Sequence, residues 1–222
     1  MRSYSYRYPH PAVTTDCVVF GFDGEEVNIL LIERAKDPCK GEWAFPGGFL
    51  NIDETAENGI LRELEEETGI KDITVEQVGA FTTVDRDPRE RVITLAFYAF
   101  IRKQEHHIKG GDDARRACWF PLSKHPQLAF DHQEILEKTL KNLRIKLTFD
   151  PFIFKLLDER FTLSQLQAAY EGILGKNIDG TAFQNEIISR SYLVAAGYKG
   201  DEILYSLNDT AFRKYTDKQI PY

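Results

Sequence analysis

The sequence predicts an α+β chain in two parts, and three observations carry that prediction. The first two-thirds alternates β-branched and aromatic runs with two stretches of helical period. The texture changes after Leu147, where Asp150-Pro151 marks a boundary, because proline restricts the residue before it and ends a helix upstream. Beyond that point three short helical stretches precede two strand-like pieces. The domains are read as 1–149 and 150–222.

Element by element, Ala12 to Phe22 is rich in Val, Thr and Phe and reads as a strand, and Val27 to Ile32 is a short apolar run bounded by charge. Thr55 to Thr68 is a helix. Val75 to Val84 and Val92 to Ile101 repeat the strand composition, Ala117 to Phe120 is a short strand stopped by Pro121, and His132 to Lys146 is a second helix. Gly47-Gly48 and Gly110-Gly111 mark loops. In the second part the helices are Phe152–Leu157, Leu163–Leu174 and Thr181–Ser189, with Thr162 as an N-cap and Gly175 as a stop. Tyr192–Ala195 and Ile203–Leu207 flank the turn Gly197-Tyr198-Lys199-Gly200, so the order is that of a winged helix.

Composition excludes several classes. The 222 residues include 42% apolar and 28% charged residues, with 15 Phe, 10 Tyr and 2 Trp for a core, an ordinary globular balance. The 28 basic and 35 acidic residues leave a net charge of −7, which rules out a broadly basic nucleic-acid coat while leaving room for a local patch. No apolar run approaches the ~20 residues of a membrane helix, so no membrane partner is expected. Met1-Arg2-Ser3-Tyr4 leads into no signal-like segment. Cys17, Cys39 and Cys118 lack CxxC spacing, which argues against a disulfide framework or cysteine zinc site and fits a reducing cytoplasm. His106 and His107 read as solvated loop residues.

The decisive segment runs from Gly48 to Ile70. At about 100° per residue, Ile60, Leu61 and Leu64 share one arc of the helix, and Glu63, Glu66 and Glu67 share the next. Glu63 and Glu67 repel at i,i+4, and a divalent cation converts that repulsion into coordination by hard oxygen ligands. Gly48, five residues, Glu54, seven residues, then Arg62-Glu63-Leu64-x-Glu66-Glu67-x-Gly69-Ile70 resembles the Nudix box without one departure. A chance match is roughly 10⁻⁸ to 10⁻⁹ per start position at average residue usage. The resemblance implies an α/β/α sandwich with a mixed sheet. It further implies that Glu63, Glu66 and Glu67 carry Mg²⁺, or Mn²⁺ in its place, and that Glu54 and Arg62 form a structural pair. Gly47 and Gly48 let backbone come close to the substrate. The implied reaction is metal-assisted water attack on a nucleoside diphosphate linked to another group.

Further segments narrow the expectation. Arg86, Arg89 and Arg91 fall within six residues after a strand-like run; arginine forks suit phosphate, and a charged hairpin loop is the equal alternative. With Gly111-Asp112-Asp113-Ala114, Trp119-Phe120-Pro121-Leu122 and Leu128-Ala129-Phe130-Asp131-His132, the chain is similar to the ADP-ribose pyrophosphatase-like Nudix branch and to Nudix-related transcriptional regulators. That likeness points to hydrolysis of ADP-ribose to AMP and ribose 5-phosphate by a homodimer. Asp113, with Asp112 and Glu105 as competitors, is the candidate base outside the box; a capped or solvated loop is an equal reading. His132 reads as structural or capping, and Trp43 and Phe45 as core aromatics with a base-stacking shelf as the minority alternative.

The second part resembles the winged helix of those regulators, notably in Phe161 to Gln167 and Tyr170 to Gly175. Its expected recognition stretch, Asp179 to Ile187, has no basic residue before Arg190, and from Asp150 onward 8 basic residues face 10 acidic ones. Phosphate contacts supply most nonspecific DNA affinity, so the sequence ranks an enzyme first and disfavours DNA as a partner. The alternative is a ligand-sensing DNA-binding regulator whose Nudix domain binds ADP-ribose or a sugar derivative.

Overall fold

The computed structural model describes residues 6–106, 108, 114–147 and 149–213. Its centre is β1 (Ala12–Phe22), buried from Thr14 to its end. Such continuous burial belongs to a strand covered on both faces. Around it stand β2 (Val27–Arg34), β3 (Trp43–Ala44), β4 (Gly47–Phe49), β5 (Glu76–Phe81), β6 (Val92–Phe100) and β7 (Ala114–Pro121), in one mixed sheet of order β3-β2-β1-β6-β5. β4 also pairs with β1, and β7 with β2. β1 and β6 run parallel, whereas β2 and β4 pair with β1 antiparallel.

Alternate residues of β1 serve opposite layers. Cys17 and Val19 pack with Ile60, Leu64 and Ile70 under α1 (Ala56–Thr68). Val18 and Phe20 pack with Ile135 and Leu136 of α2 (His132–Lys146). α1 starts at Thr55, which accepts from the Asn58 amide, and stops at Gly69, whose φ of 77° a side chain would strain.

In the second part a 3₁₀ turn (Pro151–Leu156) precedes α3 (Leu163–Leu174), α4 (Gly180–Ser189) and the hairpin of β8 (Leu193–Lys199) and β9 (Glu202–Leu207). Thr162 and Gln165 close a reciprocal capping box at the start of α3. This part shares its core with the sheet. Phe152 stacks on Phe100 at 4.9 Å between ring centres, and Arg102 donates to the Leu157 carbonyl at 3.1 Å. α3 lies so close on β2 that a Cβ at Gly172 would sit 2.6 Å from Val27 Cγ2. Among the described residues no helix is long and apolar enough to cross a membrane.

Several features differ from the sequence reading: Gly47-Gly48, read as a loop, belongs to β4, β8 runs on through Gly197 to Lys199 where a turn was expected, and β7 starts at Ala114. The run Val75 to Val84 is strand only over Glu76–Phe81, after which Arg91 donates to the Thr82 and Thr83 carbonyls and holds a loop. The first helix of the winged unit is a 3₁₀ turn over Pro151–Leu156, opened by Asp150, which accepts from the Phe152 amide.

The Gly172 approach sets a stability test. Gly172→Val overpacks the α3–β2 contact, at about 1–3 kcal/mol. Calorimetry should show a lower melting temperature than wild type; an unchanged melt would mean that the two elements do not depend on this contact.

Candidate functional site

A cavity of about 510 Å³ opens between the second half of α1, the turn joining β3 and β4, the loop after β5 and the start of α2. Glu63 and Glu67 of the acidic arc line it, together with Gly47, Gly48 and Arg62. Glu67 accepts from the Gly47 amide at 2.9 Å, and a Cβ on Gly48 would lie 2.5 Å from the Glu63 carboxylate. The glycine turn therefore packs directly on two carboxylates. No side chain fits there.

Arg62 organises this edge. Its Nε and Nη2 donate to Glu54 at 3.1 and 2.6 Å, and its Nη1 donates to Glu63 at 2.6 Å and Glu66 at 3.3 Å. The fork holds the Glu54 carboxyl down to about 2. Glu63 moves the other way: burial raises it, although Arg62 opposes the shift. Among the described residues no three His, Cys, Asp or Glu side chains already converge as a metal cage. The donor set itself suits Mg²⁺, which prefers a few carboxylates and keeps its waters, and Glu66 stands exposed with room for them.

On the opposite wall, Arg86 and His132 were named from the sequence, whereas their partner Asp16 was not. Arg86 is 4% exposed and donates to Asp131 through Nε at 2.8 Å and Nη2 at 2.6 Å, with Asp16 at 3.9 Å. Asp16 in turn accepts from Thr94 at 2.6 Å. The Phe45 amide donates to His132 Nδ1 at 2.9 Å, which leaves the second ring nitrogen facing Asp16 Oδ1 at 3.6 Å. Burial holds His132 below its ordinary value. Phe130, at a φ of 54° rare for a bulky residue, lies under the Arg34 guanidinium at 4.7 Å. A lone Asp inside the apolar strand around Cys17 was the available signal for Asp16; nothing local signals its partners.

The expected residues are thus distributed unevenly. Glu63, Glu67, Gly47, Gly48, Arg62, Arg86 and Arg89 line one cavity. Arg89 is half-exposed, bonds Asp87 and lies over Phe49 at 5.1 Å. Arg91 is absorbed by its loop carbonyls and lies outside the cavity lining. Glu66 and Glu54 stay on the Arg62 side of α1. Glu105 pairs with Arg102 and lines a different cleft. Asp112, Asp113 and His107 lie outside the described residues. Phe45 is buried in the core, and Trp43 packs edge-on against Phe120.

The depressed value of His132 has a pH consequence. Between that value and the unfolded ~6.5 the unfolded chain binds more protons, so stability rises with pH through this window. It is complete above ~6.5 and is lost as pH falls toward the folded value. Urea unfolding at several pH values from 7 downward should show this loss, and His132→Gln should flatten it. An equal slope in the variant would assign the loss to another group.

A family profile described as the NUDIX domain matches residues 10–143, and one described as the NrtR DNA-binding winged helix domain matches 153–202. The chain is 34% identical over 187 residues, 82% of its length and 74% of the relative's, to the "ADPR responsive transcriptional repressor NtrR" of Acinetobacter baylyi. It is 40% identical over 134 residues, 60% of its length and 76% of the relative's, to the ADP-ribose pyrophosphatase of Methanocaldococcus jannaschii. Shewanella oneidensis NrtR, solved with a 27mer DNA, superposes with a TM-score of 0.72 at 31% identity, over 90% of this chain and 95% of that one. The NUDIX domain of the same protein, solved with ADP ribose, gives 0.56 at 30% identity over 61% and 90% of the two chains.

DNA is therefore a plausible partner, not a disfavoured one as the charge count suggested. Much of the acid counted against DNA is engaged within the fold. Asp179 caps α4, Glu171 accepts from the Ile178 amide, and Glu186 pairs with Arg190 at 3.0 Å. The net charge of a domain does not describe the stripe that faces a ligand. With one profile over more than half its length and relatives alike across both parts, the chain belongs to the Nudix family, in the form that carries an NrtR-type winged-helix domain behind the Nudix domain.

Proposed function

We propose that this chain is a ligand-sensing DNA-binding regulator whose pocket takes ADP-ribose. The observation that carries the reading is the reach of the likeness, which runs through pocket and winged helix together to a repressor and to a protein solved on DNA. The pocket chemistry supports the ligand class: Arg89 offers a half-exposed guanidinium for phosphate, and the Gly47-Gly48 turn admits close backbone contact. Glu63, Glu66 and Glu67 would hold Mg²⁺ or Mn²⁺, with Glu54–Arg62 as the structural pair. On DNA, exposed Thr181 and Asn185 of α4 would meet base edges, and Tyr198-Lys199 at the hairpin end would meet the backbone. Fluorescence anisotropy on the protein's own upstream region at about 150 mM salt tests it. Submicromolar, sequence-selective binding released by ADP-ribose is expected. Binding only at low salt and indifferent to sequence would sink the regulator reading. Light scattering checks the homodimer that this reading includes.

Hydrolysis of ADP-ribose to AMP and ribose 5-phosphate is the second reading, favoured by the complete set of box carboxylates and the 40% identity to a pyrophosphatase. A bound divalent ion supplies phosphate charge neutralisation and a low-pKa water. Glu67→Gln should slow any Mg²⁺-dependent turnover by ~10² or more; a near-normal rate would contradict the assignment. Because Glu63 is raised, Mn²⁺ affinity followed by EPR should fall on acidification above the ordinary carboxylate range, and Glu63→Gln should remove that early fall.

A further inference from the structure

Asp16 and His132 meet on the inner wall of the pocket without bonding each other. Both line the cavity, and their side chains are 10% and 5% exposed. Asp16 Oδ2 accepts from the Thr94 hydroxyl at 2.6 Å and has the Arg86 guanidinium at 3.9 Å. Oδ1 instead faces His132 Nε2 at 3.6 Å, too far for a hydrogen bond. Among the described residues neither of these two atoms has a hydrogen-bond partner.

The other side of the ring decides where its proton lies. The Phe45 amide can only donate, so Nδ1, which receives it at 2.9 Å, carries no proton. Burial disfavours the charged ring, and the neutral ring therefore holds its proton on Nε2. Phe45 also stacks on the imidazole at 5.5 Å between centres and fixes its plane. The wall thus presents one N–H donor and one carboxylate acceptor side by side.

One ligand atom can serve both only if it accepts and donates. A hydroxyl does so, whereas a phosphate oxygen only accepts and the amino group of a base in effect only donates. Charge makes the same choice. Asp16 and Asp131 set two carboxylates against the single guanidinium of Arg86, which makes this corner unfavourable to phosphate. Asp16 pairs with Gly47 across β1 and β4, and a Cβ on Gly47 would lie 2.8 Å from Oδ1. The Gly47 amide in turn donates to Glu67, so this corner adjoins the acidic arc. In ADP-ribose the hydroxyls flanking the diphosphate are those of its two riboses.

We propose that Asp16 Oδ1 and His132 Nε2 form a notch for a ribose hydroxyl, which accepts from His132 and donates to Asp16. The proposal rests on the ADP-ribose reading above and assigns the groups that select the sugar. Both are specificity residues, since they touch a hydroxyl and not the diphosphate.

Calorimetric titration of the full chain with ADP-ribose, ADP and dideoxy-ADP tests the notch. ADP lacks the terminal ribose, and dideoxy-ADP also lacks the hydroxyls of the adenosine ribose. In wild type, removing the hydroxyl in the notch should cost about 10-fold or more in affinity, the range of a hydrogen bond to a charged group. Asp16→Asn keeps the side chain's size and removes its charge, so there the same removal should cost about two- to threefold. A narrowed ratio of ADP-ribose to ADP places the terminal ribose in the notch; a narrowed ratio of ADP to dideoxy-ADP places the adenosine ribose there. A substitution that merely loosens the pocket lowers all three affinities and leaves both ratios as in wild type. A second readout leaves Asp16 in place. The NMR signal of the His132 Nε2 proton, identified by its loss in His132→Gln, should shift and exchange more slowly with water at saturating ADP-ribose. An unmoved signal, or ratios equal in the two proteins, overturns the notch and leaves the pocket reading standing. No ADP-ribose binding by the wild-type chain overturns the pocket reading and the notch together.

Discussion

A guanidinium and a carboxylate buried together fix the arrangement on which the pocket depends. Arg86 and Asp131 are 4% and 9% exposed, and removing one partner of such a pair costs about 3–5 kcal/mol, because the other charge is left without solvent. The pair ties the loop after β5 to the start of α2 across 45 residues of sequence. With α2 anchored there, His132 reaches the Phe45 amide; Phe45 leads into the turn whose Gly47 amide donates to Glu67. Pocket wall, glycine turn and acidic helix are thus set by one chain of contacts. Loosening Arg86 would be felt at the carboxylates on the far side.

What was legible in the sequence had local causes. The acidic helix, its Thr55 cap and its Gly69 stop follow from spacing, side-chain reach and backbone freedom within a few residues. α2 and α3 match the sequence bounds for the same reason. β3 and β4 were illegible, since two and three residues carry no period and exist only because β2 and β1 offer partners. Arg86 and His132 were legible as single residues, but the wall that they build with Asp16 and Asp131 was not, because its bonds join residues from 45 to 87 positions apart. Three nearby arginines suggested a common phosphate role. Their environments separate them: one is buried in a pair, one half-exposed at the rim, and one held by carbonyls.

The winged helix shows the limit of counting charge. A count treats every carboxylate as a source of repulsion, whereas a carboxylate that caps a helix or accepts an arginine fork has its field largely neutralised within a few ångströms. Here the helix expected to face DNA presents Thr181 and Asn185 while Glu186 is matched by Arg190. On DNA such a surface would rely more on base edges and shape than on phosphate attraction. Its specificity would then lie in side-chain geometry, with less dependence on salt than a basic recognition helix has.

The two readings of the pocket also differ less than their names suggest. A sensor must bind the intact ligand, whereas an enzyme gains rate only from contacts that strengthen in the transition state. Arg62 sets one positive charge against the carboxylates of Glu54, Glu63 and Glu66, so the acidic arc by itself still repels a diphosphate. A divalent ion on the same carboxylates would supply the positive charge that a diphosphate needs, and would tighten ground-state binding before contributing to any bond cleavage. If dissociation outpaces turnover, the fraction of pocket occupied is set by affinity alone. Under that condition an intact box and a sensing role coexist, with the metal serving occupancy first and chemistry second.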